Sequence, residues 1–405
     1  MRAYIYVACL IATVAGGVGV GGAALALPAR RAGPNIEARA AHDARVLQDD
    51  IAFYSRRVAA DPLGAADRAR LGALYMKRGR VTGDYADYRR AEALARRSLA
   101  LRVAHNDGAY TILASVLLAQ HRFRAALQVA RQLDVRSAGV ASQRALLAEV
   151  ELEVGNYDRA RVLFDSLWPA RHDLAVAPRL ARWAEIRGDT AFARRLLDGA
   201  LQAALTRRDL PAEQLGWFYW RVGDFALRYG RLEAATYALR QGLAGSPNDY
   251  RLLAAMARLS AAQRRWKDAI AFGDRAIATT PDPATFGVIS DAYAALGDTA
   301  RAAEYARAME IAVRGQPGQW HRAWSLFLLD HDRRVDEVLA KASAELETRR
   351  DVYGWDLYAW ALHKKHRDAA ASRAMAQALA QGTRDPQLLT HAVAIARALR
   401  ESAAP

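Results

Sequence analysis

Three short stretches of this sequence hold residues whose types and spacing invite chemistry. His363-Lys364-Lys365-His366 sets two imidazoles about one helical turn apart, close enough to share a cation. The two lysines oppose that cation and no third ligand stands nearby, so a solvated turn is expected instead. Asp330-His331-Asp332 has the composition of an acid–base pair, yet it falls at an expected helix end, where polar side chains satisfy loose backbone groups. Gly17-Val18-Gly19-Val20-Gly21-Gly22 fits the G-x-G-x-x-G pattern. A dinucleotide phosphate needs that loop between a strand and a helix, and here it sits inside an uncharged apolar leader. The sequence contains no H-E-x-x-H, no G-x-S-x-G, no phosphate-cradling loop and no calcium loop. No catalytic residue, cofactor or metal is therefore expected, and the chain reads as a non-enzyme.

The elements that surround these stretches must come from composition and periodicity. Just over half of the 405 residues are apolar and a quarter are charged, which suits a folded chain. Alanine dominates, and it favours closely packed helices because it forms helix well and adds little bulk. The formal charge is +15, and only five of the 58 basic residues are lysines. That surplus suits an anionic partner such as an envelope polymer or lipid headgroups. Its even spread along the chain suits solvated helix faces better. The single cysteine, Cys9, lies in the leader, so no internal disulfide or thiolate metal cluster is expected.

Residues Ala3 to Leu27 carry no charge, follow Arg2 and end in "AALALPARR". A basic start, an apolar centre and small residues at Ala24 and Ala26 make a secretory signal, with cleavage expected after Ala26. The run is also long enough to span a bilayer, so retention as an anchor through residues 3–27 is the alternative. Either way an exported, periplasmic or otherwise extracytoplasmic protein is expected.

From there the chain repeats. "YGRLEAATYALRQGLAGSP" (Tyr229 to Pro247) returns 34 residues later as "QRRWKDAIAFGDRAIATTP" (Gln263 to Pro281), with different letters but the same order of turn, small residue, apolar stripe and proline. The small residue recurs at Ala91, Ala126, Ala160, Ala193, Ala235, Ala269, Ala302, Val338 and Ala371, at intervals of 35, 34, 33, 42, 34, 33, 36 and 33. A period near 34 over nine units means a helical solenoid. Glycines 155, 188, 230 and 297 supply the positive φ that a tight interhelical turn needs. His121, Arg264, Arg333 and His366 stand at that place in the other turns. Each alanine should lie where the second helix crosses the first, with an i, i+4, i+7 apolar stripe beyond it. "SPND" and "TRDP" should cap the helices that follow them. Two irregularities interrupt the rhythm: "RGRVTGDYADY" (78–88) is expected to enlarge the first turn, and the interval of 42 places extra residues around 203–214.

This grammar resembles the tetratricopeptide repeat family, over roughly Asp67 to Leu399. The resemblance implies an all-α, right-handed superhelical solenoid of about nine helix-turn-helix repeats. The expected parts are a leader (1–26), an N-terminal helical segment (27–66), the repeat array (67–383) and a closing helix with its tail (384–405). It also implies a concave wall lined by the first helices, where a protein or peptide partner is held. First-helix residues off the packing stripe are the candidates: Trp217, Trp220, Asp224, Arg228, Arg251 and Arg258, with Arg182, Trp320 and Trp360 in comparable places. Arginine beside tryptophan suits an extended peptide, through aromatic area and paired hydrogen bonds to carboxylates. The family's asparagine–lysine carboxylate clamp has no counterpart, because the asparagines fall near turns. The expected function is an exported scaffold that binds a protein segment; an anionic envelope component is the alternative, and nucleic acid is not expected.

Overall fold

The computed structural model describes residues 36–315 and 322–403, so the leader and Trp320 lie outside the described residues. Helix α1 (Ile36–Ala60) leads into nine helical hairpins among the described residues. The first four pair α2 (Ala65–Thr82) with α3 (Tyr85–Leu101), α4 (Asp107–Ala119) with α5 (Phe123–Arg136), α6 (Ala141–Val154) with α7 (Tyr157–Ser166), and α8 (Ala177–Ile186) with α9 (Thr190–Thr206). The next three pair α10 (Ala212–Arg228) with α11 (Leu232–Gly245), α12 (Tyr250–Ala262) with α13 (Trp266–Thr279), and α14 (Pro283–Ala295) with α15 (Thr299–Arg314). The last two pair α16 (Arg322–Asp330) with α17 (Val335–Glu345) and α18 (Val352–Lys364) with α19 (Asp368–Leu379), and α20 (Pro386–Ala403) closes the stack. The architecture is an all-α solenoid of tetratricopeptide type, with no strand among the described residues.

The repeating small residue sits where expected. Ala91, Ala126, Ala160, Ala193, Ala235, Ala269, Val338 and Ala371 have no exposed surface at all. Each second helix therefore lies against its partner with only a methyl or isopropyl group between the backbones. Aspartates start the helices: the Asp249 carboxylate accepts from the Arg251 and Leu252 amides, and Asp385 does the same for Gln387. These are the caps that "SPND" and "TRDP" announce. Glycines 155, 188, 230 and 297 have φ between 69° and 89°, and His121, Arg264 and His366 take the same left-handed backbone at φ 55–57°.

Two expectations are corrected. In the eighth hairpin the left-handed position belongs to Asp332 (φ 52°), not Arg333, and a second left-handed residue, Arg334 (φ 50°), follows. The turn there is one residue longer before Val338, and Arg334 absorbs the extra residue. The stretch 78–88 does not enlarge a turn. Helix α2 instead runs about one turn longer than most first helices and ends at a tight Gly83 corner, φ 69°. Similarly, the extra residues of the fifth unit lengthen α9 and α10 to 17 residues each, leaving only Arg207 to Pro211 between them.

The corners also make packing contacts. Thr280, at the end of α13, donates through Oγ1 to the Thr82 carbonyl at 2.9 Å, across 198 residues. The Arg350 amide donates to the Val154 carbonyl at 3.0 Å, and the Val352 amide to the Tyr157 hydroxyl at 2.7 Å. A Cβ on Gly188 would lie 2.2 Å from the Gly382 carbonyl oxygen. Five to six hairpins thus complete one superhelical turn, and the next turn rests directly on the first. One apolar cluster crosses the same seam, joining Leu152, Phe164 and Leu180 to Val352, Leu362 and Leu388.

Candidate functional site

Because the solenoid winds back onto itself, its inner wall lines a half-open cavity of about 1220 Å³. First helices supply most of its lining, α6, α8, α10 and α12 on one side and α16 and α18 on the other, with the closing helix α20 beside the latter. Among the first helices α10 contributes most, because positions 217, 221, 224 and 228 follow the i, i+4, i+7, i+11 spacing of a single helix face.

Six of the nine sequence candidates meet in this cavity: Arg182, Trp217, Asp224, Arg228, Arg258 and Trp360. Trp220 does not. It sits toward the edge of the α10 face and packs into the apolar cluster around Tyr219, Leu239 and Leu252. Arg251 lies one helix face-length away, in a second cavity of about 720 Å³ between α1, α2 and the starts of α10 and α12. There it is held by Glu213 at 3.0 Å and Asp249 at 2.6 Å. Trp320 lies outside the described residues.

The main cavity is lined by charge in matched pairs. Arg258 reaches Asp224 at 2.8 Å, and Arg228 reaches the other oxygen of Asp224 at 3.1 Å. Arg228 also donates through Nη1 to Glu185, which is only 2% exposed. Arg179 pairs with Glu149 at 2.7 Å, Arg322 with the fully buried Asp356 at 2.5 Å, and Arg349 with Asp351 at 2.7 Å. Arg182 donates to the Tyr353 hydroxyl at 2.9 Å, with Glu153 at 3.8 Å, so this pair spans the two superhelical turns. Lys364 pairs with Asp332 at 2.8 Å. The electrostatics follow from these partners. Burial pushes the Asp224 carboxyl up, but Arg258, Arg228 and Arg221 outweigh it and hold the group at about 2. At Glu153 burial wins over Arg182 and Arg349, and its pKa is raised.

Arg221 is the exception. It lines the cavity in the middle of α10, its guanidinium over the Trp217 and Trp220 rings at 5.8 and 5.9 Å. No carboxylate bonds to it among the described residues, and its Nε is buried without a hydrogen-bond partner. Burial, with Arg228 and Arg182 nearby, lowers its pKa, whereas those of Arg182 and Arg228 are raised.

The two histidine stretches become structural. Trp360 stacks on His391 (centroids 4.2 Å apart, 7° between planes) and on His363 (4.9 Å), and its Nε1 donates to Asp330 at 3.0 Å. His391 in turn bonds Asp356 at 2.7 Å, and His363 bonds Asp368 at 2.5 Å. Trp360 is therefore a braced wall of the cavity, not a free aromatic platform. His331 bridges to Asp291 at 3.0 Å, a contact between neighbouring first helices. No group of three or more metal-ligating side chains occurs among the described residues.

Sequence reasoning missed Arg221, Tyr353, Arg322, Arg349 and His391. Arg221 was available, since it stands four residues after Trp217 and three before Asp224. The others were not, because they oppose α10 only once the superhelix has turned.

No family model matches this sequence, and no curated protein does either. Solved structures with a similar course include yeast Tom70, at 12% identity over 89% of this chain and 94% of that one, TM-score 0.39. PilW, described as a type IV pilus biogenesis factor, is 15% identical over 65% of this chain and 98% of its own, TM-score 0.35. YrrB, described as a TPR protein with an unusual peptide-binding site, is 12% identical over 49% of this chain and 95% of its own, TM-score 0.30.

Proposed function

We propose that this tetratricopeptide-type solenoid is a non-catalytic scaffold that takes a segment of a partner protein into its inner cavity. The observation that carries the reading is the cavity itself: about 1220 Å³, walled by first helices from two superhelical turns, with aromatic and charged side chains converging on it. An extended peptide has the slender shape such a space admits, and side chains fixed by ion pairs and stacking lose little entropy when it binds. Interior arginines that already carry carboxylate partners leave little free charge for a polyanion inside the cavity. The alternative of an envelope polymer or lipid would have to use the outer surface, and predicts binding that collapses with added salt.

The leader sequence supports export to an extracytoplasmic space, with the segment 1–27 either removed or kept as an anchor. Fractionation of the chain tagged separately at each terminus decides between them. A tag at the amino terminus that stays with the membrane fraction means retention; its loss means cleavage; and a wholly cytoplasmic chain would overturn export.

The cavity reading is tested by filling the space. Ala262 is exposed within the lining, so Ala262→Trp adds bulk there without disturbing the packed core. Cross-linking and mass spectrometry on cells carrying the natural chain should recover a reproducible protein partner, and Ala262→Trp should lose it at unchanged melting temperature. A partner retained by Ala262→Trp would contradict the reading.

A further inference from the structure

We infer that Arg221 is the anchor point for one carboxylate of whatever segment enters the cavity, making this a subsite for a single negative charge beside an aromatic wall. The inference rests on the cavity reading above and adds the chemistry of its ligand. Eight arginine and lysine side chains line the cavity among the described residues, and seven of them already hold a carboxylate partner. Arg221 is the remaining one. Its Nε is buried without a partner, while the residue lines the cavity in the middle of α10. A half-buried guanidinium with no carboxylate bonded to it and one N–H buried unpaired is costly to the fold, and a bound carboxylate would offset that through paired hydrogen bonds. Burial, with Arg228 and Arg182 nearby, outweighs Glu185 and Asp224 and lowers the pKa of Arg221, in keeping with the absence of a bonded carboxylate.

Neighbouring residues define the rest of the subsite. Trp217 lies beneath the guanidinium and also lines the cavity, giving an apolar contact for the atoms that carry the carboxylate. Asp224 and Glu185 take their hydrogen bonds from Arg228 and Arg258, so neither bonds Arg221 directly. Their charge discourages a second anion from lying close by. The site therefore favours an isolated acidic group over a run of them.

The test uses the full-length chain with three short probes: acetyl-Ala-Glu-Ala-amide, acetyl-Ala-Gln-Ala-amide and acetyl-Ala-Ala-Ala with a free carboxyl end. The readout is the arginine Nε–H resonance that disappears in Arg221→Lys. A carboxylate probe should shift that resonance, and the glutamine peptide should not. A shift from the glutamyl peptide identifies a side-chain carboxylate; a shift from the free-ended peptide identifies a chain terminus; each supports the subsite. No carboxylate-dependent shift overturns it. Arg221→Met should keep or raise the melting temperature, and a fall of several degrees would mean that the guanidinium serves the fold instead. Finally, a partner held equally by the natural chain and Arg221→Gln, but lost from Ala262→Trp, overturns the subsite and leaves the cavity reading standing. A partner indifferent to Ala262→Trp removes the cavity reading itself.

Discussion

Arg221 and Arg228 lie two turns apart on one face of α10, yet their removal should have opposite consequences. Arg228→Met strands Glu185, which is 2% exposed and has Arg228 as its cationic partner. An uncompensated buried carboxylate of this kind costs about 3 kcal/mol, readable by urea denaturation. Arg221→Met breaks no direct ion pair, since Asp224 keeps Arg228 and Arg258, and should be neutral or slightly stabilising in the same assay. Asp224 supplies a pH test. Its carboxyl titrates at about 2 in the folded chain against an ordinary value of 3.8. A depressed acid stabilises the fold above that ordinary value, and the contribution disappears as pH falls toward 2. Between those limits it amounts to on the order of 2 kcal/mol. Asp224→Asn should therefore be less stable near neutrality and lose less stability on acidification through that window. Equal acid sensitivity of the two proteins would mean that the arginine pairs around Asp224 contribute nothing.

Individual helices and corners were largely legible because their causes are local. A residue at a close helix crossing must be small wherever the hairpin sits, and a corner needs positive φ whatever it touches. Ala269 illustrates the first rule: it is fully buried against Ala292 and Ile270, and Ala269→Phe should cost on the order of 1–3 kcal/mol by overpacking. The corners show where locality ends. Gly230 and Gly155 both have positive φ, 69° and 89°, and look equivalent in sequence. Open space surrounds the Cβ position at Gly230, so Gly230→Ala should cost only the backbone penalty, about 1–2 kcal/mol. At Gly155 the same methyl would lie 2.5 Å from the Arg350 carbonyl group. Gly155→Ala should be clearly more destabilising, and thermal unfolding of the two variants side by side measures the difference. The 78–88 stretch misled for the same reason: its extra residues extend α2 toward Thr280, a contact that no local pattern announces. Arg333 was displaced from the corner by a single added residue, below the resolution of a spacing argument.

At the scale of the whole molecule, the superhelix closes because residues about 196 apart in sequence meet along a seam. That seam turns a concave surface into a half-open cavity, and it brings Tyr353, Arg322 and Arg349 opposite α10. Candidates on one helix, such as Trp217, Asp224 and Arg228, could be read from helical spacing; their counterparts across the cavity could not. Gly188→Val, which places bulk against the Gly382 carbonyl, should open the seam and raise the radius of gyration in small-angle scattering while helical content stays constant. The central claim is that a partner segment lies inside this space, and site-specific photo-cross-linking tests it most directly. A photoreactive residue placed at Trp217, in the cavity wall, is compared with one placed at Trp168, half exposed and away from the lining. The partner should be captured from position 217 and not from 168; capture from 168 alone would contradict the account.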